Sequence, residues 1–66
     1  MYKVRYHREL KKLTQEQLAK KVGMTQSQIC KIENGDRDLK ARELTLFSKA
    51  LETTTQELLE EEVTHV

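Results

Sequence analysis

The stretch Thr14–Asn34, TQEQLAKKVGMTQSQICKIEN, decides how this chain folds. It carries the same helix-start signal twice. In Thr14-Gln15-Glu16-Gln17 and again in Thr25-Gln26-Ser27-Gln28, a threonine hydroxyl can accept the N–H of the residue three positions on, while that residue's glutamine reaches back to the threonine amide. Leu18, Ala19 and Val22 then form the inner face of a helix from Gln15 to Val22, and Gly23 stands where a helix ends in a left-handed residue. The next start signal follows one residue after Met24, so two helices must meet at a tight corner. In the second of them Ile29 and Ile32 face one way, while Gln26, Ser27, Cys30, Lys31 and Asn34 fall largely on the opposite side. Only a narrow edge is available for burial, and Asn34-Gly35 closes the helix.

The flanks read as support for this corner. Residues 1 to about 12 are helix-compatible, with Val4, His7, Leu10 and Lys11 at three- and four-residue spacing, and His7 is placed on the buried face as a satisfied polar group. Asp36 to Lys40 reads as a charged loop. From about Ala41 the chain carries its strongest amphipathic stripe, Ala41, Leu44, Phe47, Ala50 and Leu51, with Phe47 as the natural centre of the core. Thr54 followed by Glu57 gives a third capping box, opening a last helix through Leu58 and Leu59 to about Glu62, with Val63 to Val66 expected to fray.

Composition narrows the class. With 66 residues the chain has room for one domain, expected to span 1–66, and a core this small favours modest stability or sharing with a partner. No proline, two glycines and 35% charged residues suit a compact, surface-charged helical protein, so the expected class is all-α. The lone Cys30 excludes an internal disulfide framework and cannot alone make a zinc site. No apolar run approaches the ~20 residues of a membrane helix, and the N-terminus lacks a signal-peptide core, which leads to the expectation of a soluble, cytoplasmic protein with no membrane partner.

Charge is distributed unevenly. Residues 1–49 hold all 12 Lys and Arg against 6 acids, whereas residues 50–66 hold 5 acids and no Lys or Arg. Such a split points to a body that meets a polyanion and a tail that does not. Plain accumulation of acids on a solvated terminal helix accounts for the tail alone.

At this point the stretch 14–34 resembles the helix-turn-helix of the phage repressor and Cro family, also called the xenobiotic-response-element-like family. The matching pattern is Leu13-Thr14-Gln15, Gln17-Leu18-Ala19, Val22-Gly23, Thr25, Ile29 and Ile32-Glu33-Asn34-Gly35, and Leu44, Lys49-Ala50-Leu51 and Glu57-Leu58-Leu59 resemble the later helices. The resemblance implies a five-helix, lambda-repressor-like DNA-binding domain. Departures lie at His7, where relatives carry an aliphatic residue, at Leu39 in place of a common proline, and at Thr53 and Thr55 in place of apolar residues.

In that geometry the second helix of the pair enters the major groove, and the first crosses the backbone. The resemblance therefore implies base contacts from Gln26, Ser27 and Lys31, with Cys30 near the same face and able to touch a thymine methyl or nothing. Phosphate contacts fall to Gln15, through its side chain and a backbone N–H at a positive helix N-terminus, to Thr25, Asn34 and Arg37, and to Lys40 and Arg42. Asp36 and Asp38 in the same loop oppose phosphate. Arg8 and Glu33 stand where relatives form an ion pair between the first and third helices; the alternative is two independent surface charges. One such domain touches few bases, so the family solution is a homodimer on a pseudo-palindromic operator. Leu58, Leu59 and Val63 are its candidate surface, although for Leu58 packing against Phe47 within the chain is the preferred reading.

The leading expectation is a sequence-specific, double-stranded DNA-binding transcriptional repressor with no cofactor and no metal. The competing class is a protein-interaction module, antitoxin-like or bound by an anti-repressor, using the acidic last helix. An enzyme is disfavoured, because His7, His65 and Cys30 are scattered and no acid pair, phosphate loop or metal-spaced set accompanies them. For Cys30 an ordinary surface thiol is preferred to a redox sensor.

Overall fold

The computed structural model describes residues 3–59 and contains five helices: α1 (Val4–Leu10), α2 (Gln15–Val22), α3 (Gln26–Asn34), α4 (Ala41–Ala50) and α5 (Thr55–Leu59). The described residues include no strand.

Both threonine start signals are made in full. Thr14 Oγ1 accepts the Gln17 N–H at 3.0 Å while Thr14 N–H donates to Gln17 Oε1 at 2.8 Å, and Thr25 and Gln28 repeat the exchange at 3.2 and 3.0 Å. The third signal is made differently. Thr54 Oγ1 accepts the Glu57 N–H at 3.1 Å, but the Glu57 carboxylate takes the Thr53 hydroxyl at 2.9 Å. A further start device stands at α4, where the Lys40 N–H donates to Glu43 Oε1 at 3.0 Å.

Four helices end in the same way. A left-handed residue follows each, directly at Gly23 (φ 74) and Gly35 (φ 84) and one residue later at Lys12 (φ 57) and Glu52 (φ 56). In each case the next N–H closes back on a carbonyl five residues earlier: Leu13 on Arg8 (3.1 Å), Met24 on Ala19 (2.9 Å), Asp36 on Lys31 (2.8 Å) and Thr53 on Ser48 (2.9 Å). This is the Schellman closure, which satisfies carbonyls that the helix itself leaves open. Only the two glycine ends are visible in the sequence, because Lys and Glu adopt this conformation against their preference.

The core gathers Val4, Leu18, Ala19, Val22, Ile29, Ile32, Leu39, Phe47, Leu51 and Leu58, with Leu13, Met24, Leu44 and Ala50 packed against it. Phe47 lies at 0% exposure, and the α5 end is tied to the chain start by the Lys3 N–H on the Leu58 carbonyl at 2.8 Å. Leu58 is likewise fully buried, so it belongs to this core and not to a dimer surface.

Three expectations change. Helix α1 is seven residues long, not a segment reaching Lys12, and Leu10 is 60% exposed. Its inward face is set by Val4 and Arg8, one turn apart, because Arg8 must reach across to α3; Leu10 then points outward and His7 is only half-buried. Ala41 is exposed, since α4 buries Phe47 and Ser48 instead. The loop from Asp36 to Lys40 is not uniformly solvated, for Leu39 turns into the core. The expected course of α5 to Glu62, and Val63, lie outside the described residues.

Candidate nucleic-acid interface

The outward face of α3 follows from how its inward face is held. Ile29 and Ile32 are fully buried, one turn apart, so Gln26, Ser27, Lys31 and Asn34 are left exposed, with Cys30 half-buried between them. Asn34 Nδ2 donates to Cys30 Sγ at 3.5 Å along the helix. Gln28, by contrast, is half-buried and turned back to cap Thr25. The exposed side chains offer amide, hydroxyl and ammonium groups on one continuous face, a donor and acceptor set able to meet base edges in a groove that admits a helix.

Beneath that face Glu33 anchors three segments. Its Oε2 accepts Arg8 Nε at 2.7 Å, its Oε1 accepts Arg8 Nη2 at 3.2 Å, and the same Oε1 accepts Gln15 Nε2 at 3.0 Å. Arg8 Nη1 completes the network on the Leu13 carbonyl at 2.7 Å. The Glu33 side chain is 2% exposed and that of Arg8 is 11% exposed. The Glu33 hydrogen bond raises the Arg8 pKa above its ordinary value, against the opposing effect of burial.

A second fork joins the loop to α4. Arg37 Nη1 and Nη2 donate to Glu43 Oε1 and Oε2 at 3.1 and 2.9 Å, and the Arg37 hydrogen bond together with the Lys40 backbone N–H lowers the Glu43 pKa from 4.5 to about 2. Lys40 and Arg42 stay exposed beside it.

A helix-turn-helix family model matches residues 4–58, nearly all of the described chain. The chain belongs to the phage repressor and Cro type of helix-turn-helix family. Membership makes it a DNA-binding regulator of transcription. Among solved structures, the restriction-modification controller protein C.AhdI from Aeromonas hydrophila is similar, with 30% identity, a TM-score of 0.81, and coverage of 86% of this chain and 83% of that one. Among curated proteins, no sequence matches.

In this helix-turn-helix chain, α2 and α3 are the paired helices and the corner is Gly23-Met24. The residues expected from sequence fall into separate groups. Gln26, Ser27, Cys30 and Lys31 share the outer face of α3 with Asn34. Thr25 stands at the start of α3, and Lys40 and Arg42 stand at the start of α4. The side chains of Gln15 and Arg37, expected to face phosphate, are instead held by Glu33 and Glu43. Sequence reasoning missed Glu43, although an acid three residues past Lys40 is an N-terminal capping signal. It also missed the exposed Lys11–Glu52 pair at 2.6 Å, which lowers the Glu52 pKa and which no local spacing announces. Among the described residues, no helix is long and apolar enough to cross a membrane, and no group of His, Cys, Asp and Glu could hold a metal ion.

Proposed function

We propose that the chain is a sequence-specific repressor of transcription that binds double-stranded DNA as a homodimer and reads the major groove with the helix 26–34. The observation that carries this reading is the contrast across α3: an inner face locked by Ile29, Ile32 and the three-armed Glu33, and an outer face of polar side chains directed to solvent. A solvated helix has no need of such an anchor. A helix that must present side chains to base edges at fixed positions does.

Gln26 and Ser27, in the first turn of α3, and Lys31 one turn on are the base readers, with Cys30 beside them. Gln pairs bidentately with adenine and Lys donates to guanine, each good bidentate contact contributing roughly 1–3 kcal/mol of discrimination. Thr25, Asn34, Lys40 and Arg42 meet phosphate, together with the backbone N–H of Gln15 at the start of α2. Arg37 contributes less, since Glu43 neutralises it. Leu59, 46% exposed on α5, is the described apolar residue of the candidate dimer surface.

Selection from a random duplex pool followed by sequencing tests the reading. The expected result is an enriched motif of two inverted half-sites, with a protein that sediments as a dimer on it. Recovery of unenriched DNA would refute sequence-specific binding, and enrichment of a lone half-site bound by one copy would refute the homodimer.

A further inference from the structure

Helices α2 and α3 are joined at Gly23-Met24 and packed through Leu18, Ala19, Val22, Ile29 and Ile32, and a polar tie is added at their far ends, the start of α2 and the last turn of α3. Gln15 is the first residue of α2, and Glu33 is the last but one of α3. Their side chains meet across the open side of the corner, Gln15 Nε2 on Glu33 Oε1 at 3.0 Å. The acceptor is a nearly buried carboxylate oxygen that also takes Arg8 Nη2. Gln15 thus divides its groups: the amide side chain goes inward to Glu33, while its backbone N–H stands in a first turn where a helix supplies no acceptor.

We propose that Gln15 is a positioning residue for the reading helix. Its amide is a strut that fixes the angle at which α3 leaves the corner, so that docking of the α2 N-terminus on phosphate and presentation of Gln26, Ser27 and Lys31 to bases share one geometry. The inference rests on the reading of α3 as the base-contacting helix. Removing the strut leaves the Arg8 fork on Glu33 and the apolar core in place, so the chain stays folded while the angle loses the polar tie that narrows it. A loose angle harms contacts that need exact placement, those to base edges, more than contacts to a continuous line of phosphates.

The test is Gln15→Met, which keeps length and the backbone N–H but removes the donor. Binding is measured to a duplex selected by the wild-type protein and to a scrambled duplex of the same length, with thermal unfolding followed by circular dichroism. The expected result is a drop of about tenfold in the selected-to-scrambled affinity ratio, the scale of one lost hydrogen bond to a charged acceptor, carried by weaker binding to the selected duplex. Gln15→Lys, which restores a donor able to reach Glu33, is expected to retain the ratio. Parallel loss on both duplexes would make the Gln15 side chain a phosphate ligand and overturn the proposal. Lowered thermal stability with an unchanged ratio would make it merely structural and overturn it equally. A wild-type protein that fails to prefer its selected duplex would instead refute base reading by α3, and this inference with it.

Discussion

Arg8 and Glu33 lie 25 residues apart and meet with Arg8 Nε 2.7 Å from Glu33 Oε2, in a site that leaves the Glu33 side chain 2% exposed. A charge pair so withdrawn from water is costly to break from one side, because the remaining partner stays buried without compensation. Glu33→Ala is therefore expected to destabilise the fold by roughly 3–5 kcal/mol, a large share of what a domain of this size possesses. The double change Arg8→Met with Glu33→Leu should recover most of that stability, since it removes both charges. Urea denaturation of the three proteins checks the order, and a single variant as stable as the wild type would show that the pair is not effectively buried.

The Arg37–Glu43 fork makes stability depend on acid. Glu43 titrates at about 2 when folded against 4.5 as its ordinary value, so its carboxylate is favoured in the native state. A group whose folded pKa is depressed contributes stability that is complete above its unfolded pKa and is lost as pH falls through the folded one. The expected outcome is a stability decrement between about pH 4.5 and pH 2 that is diminished in Glu43→Gln. Denaturant midpoints measured across that range decide it; identical acid profiles for the two proteins would contradict the assignment.

The four left-handed helix ends lead to opposite expectations for similar substitutions. A Cβ added at Gly23 would meet nothing within 4 Å, so Gly23→Ala is penalised by backbone conformation alone and should cost about 1 kcal/mol. Lys12 is a non-glycine residue in the same conformation, and Lys12→Gly should gain up to about 1 kcal/mol. Thermal unfolding of both variants tests the pair, and Lys12→Gly that destabilises would show that unfolded-state entropy outweighs the relieved strain.

How much of this was legible in sequence depends on how local each device is. The capped starts at Thr14 and Thr25, the corner at Gly23 and the buried edge Ile29–Ile32 all rest on neighbours within one or two turns, and they stand where periodicity put them. The left-handed ends at Lys12 and Glu52 were not legible, because there tertiary closure overrides residue preference. Nor was the exposure of Leu10, for α1 is oriented by the reach of Arg8 toward a carboxylate 25 residues away. The interface divides in the same way. The outer face of α3 could be read from helical spacing, whereas the diversion of Gln15 and Arg37 onto Glu33 and Glu43 depends on distances that only the folded chain defines.

Phosphate contacts should separate from base contacts in their salt dependence. Each Lys or Arg that neutralises a phosphate adds about 0.9 to the slope of log affinity against log salt, so Lys40→Ala and Arg42→Ala should each lower it by roughly 1 on any duplex. Arg37→Ala should lower it less, because its guanidinium is already paired with Glu43. Titrations at several salt concentrations measure this, and an Arg37 effect as large as that of Arg42 would mean that the fork opens on DNA.

The central claim is that the outer face of α3 reads bases, and Gln26 is the side chain that tests it most directly. Affinities of the wild-type protein and of Gln26→Ala should be measured for a selected duplex and for its single base-pair variants. The expected result is that Gln26→Ala erases discrimination at one position in each half-site, worth roughly 1–3 kcal/mol, and preserves it at the others. Uniform weakening at every position, or an unchanged pattern of preference, would contradict the claim.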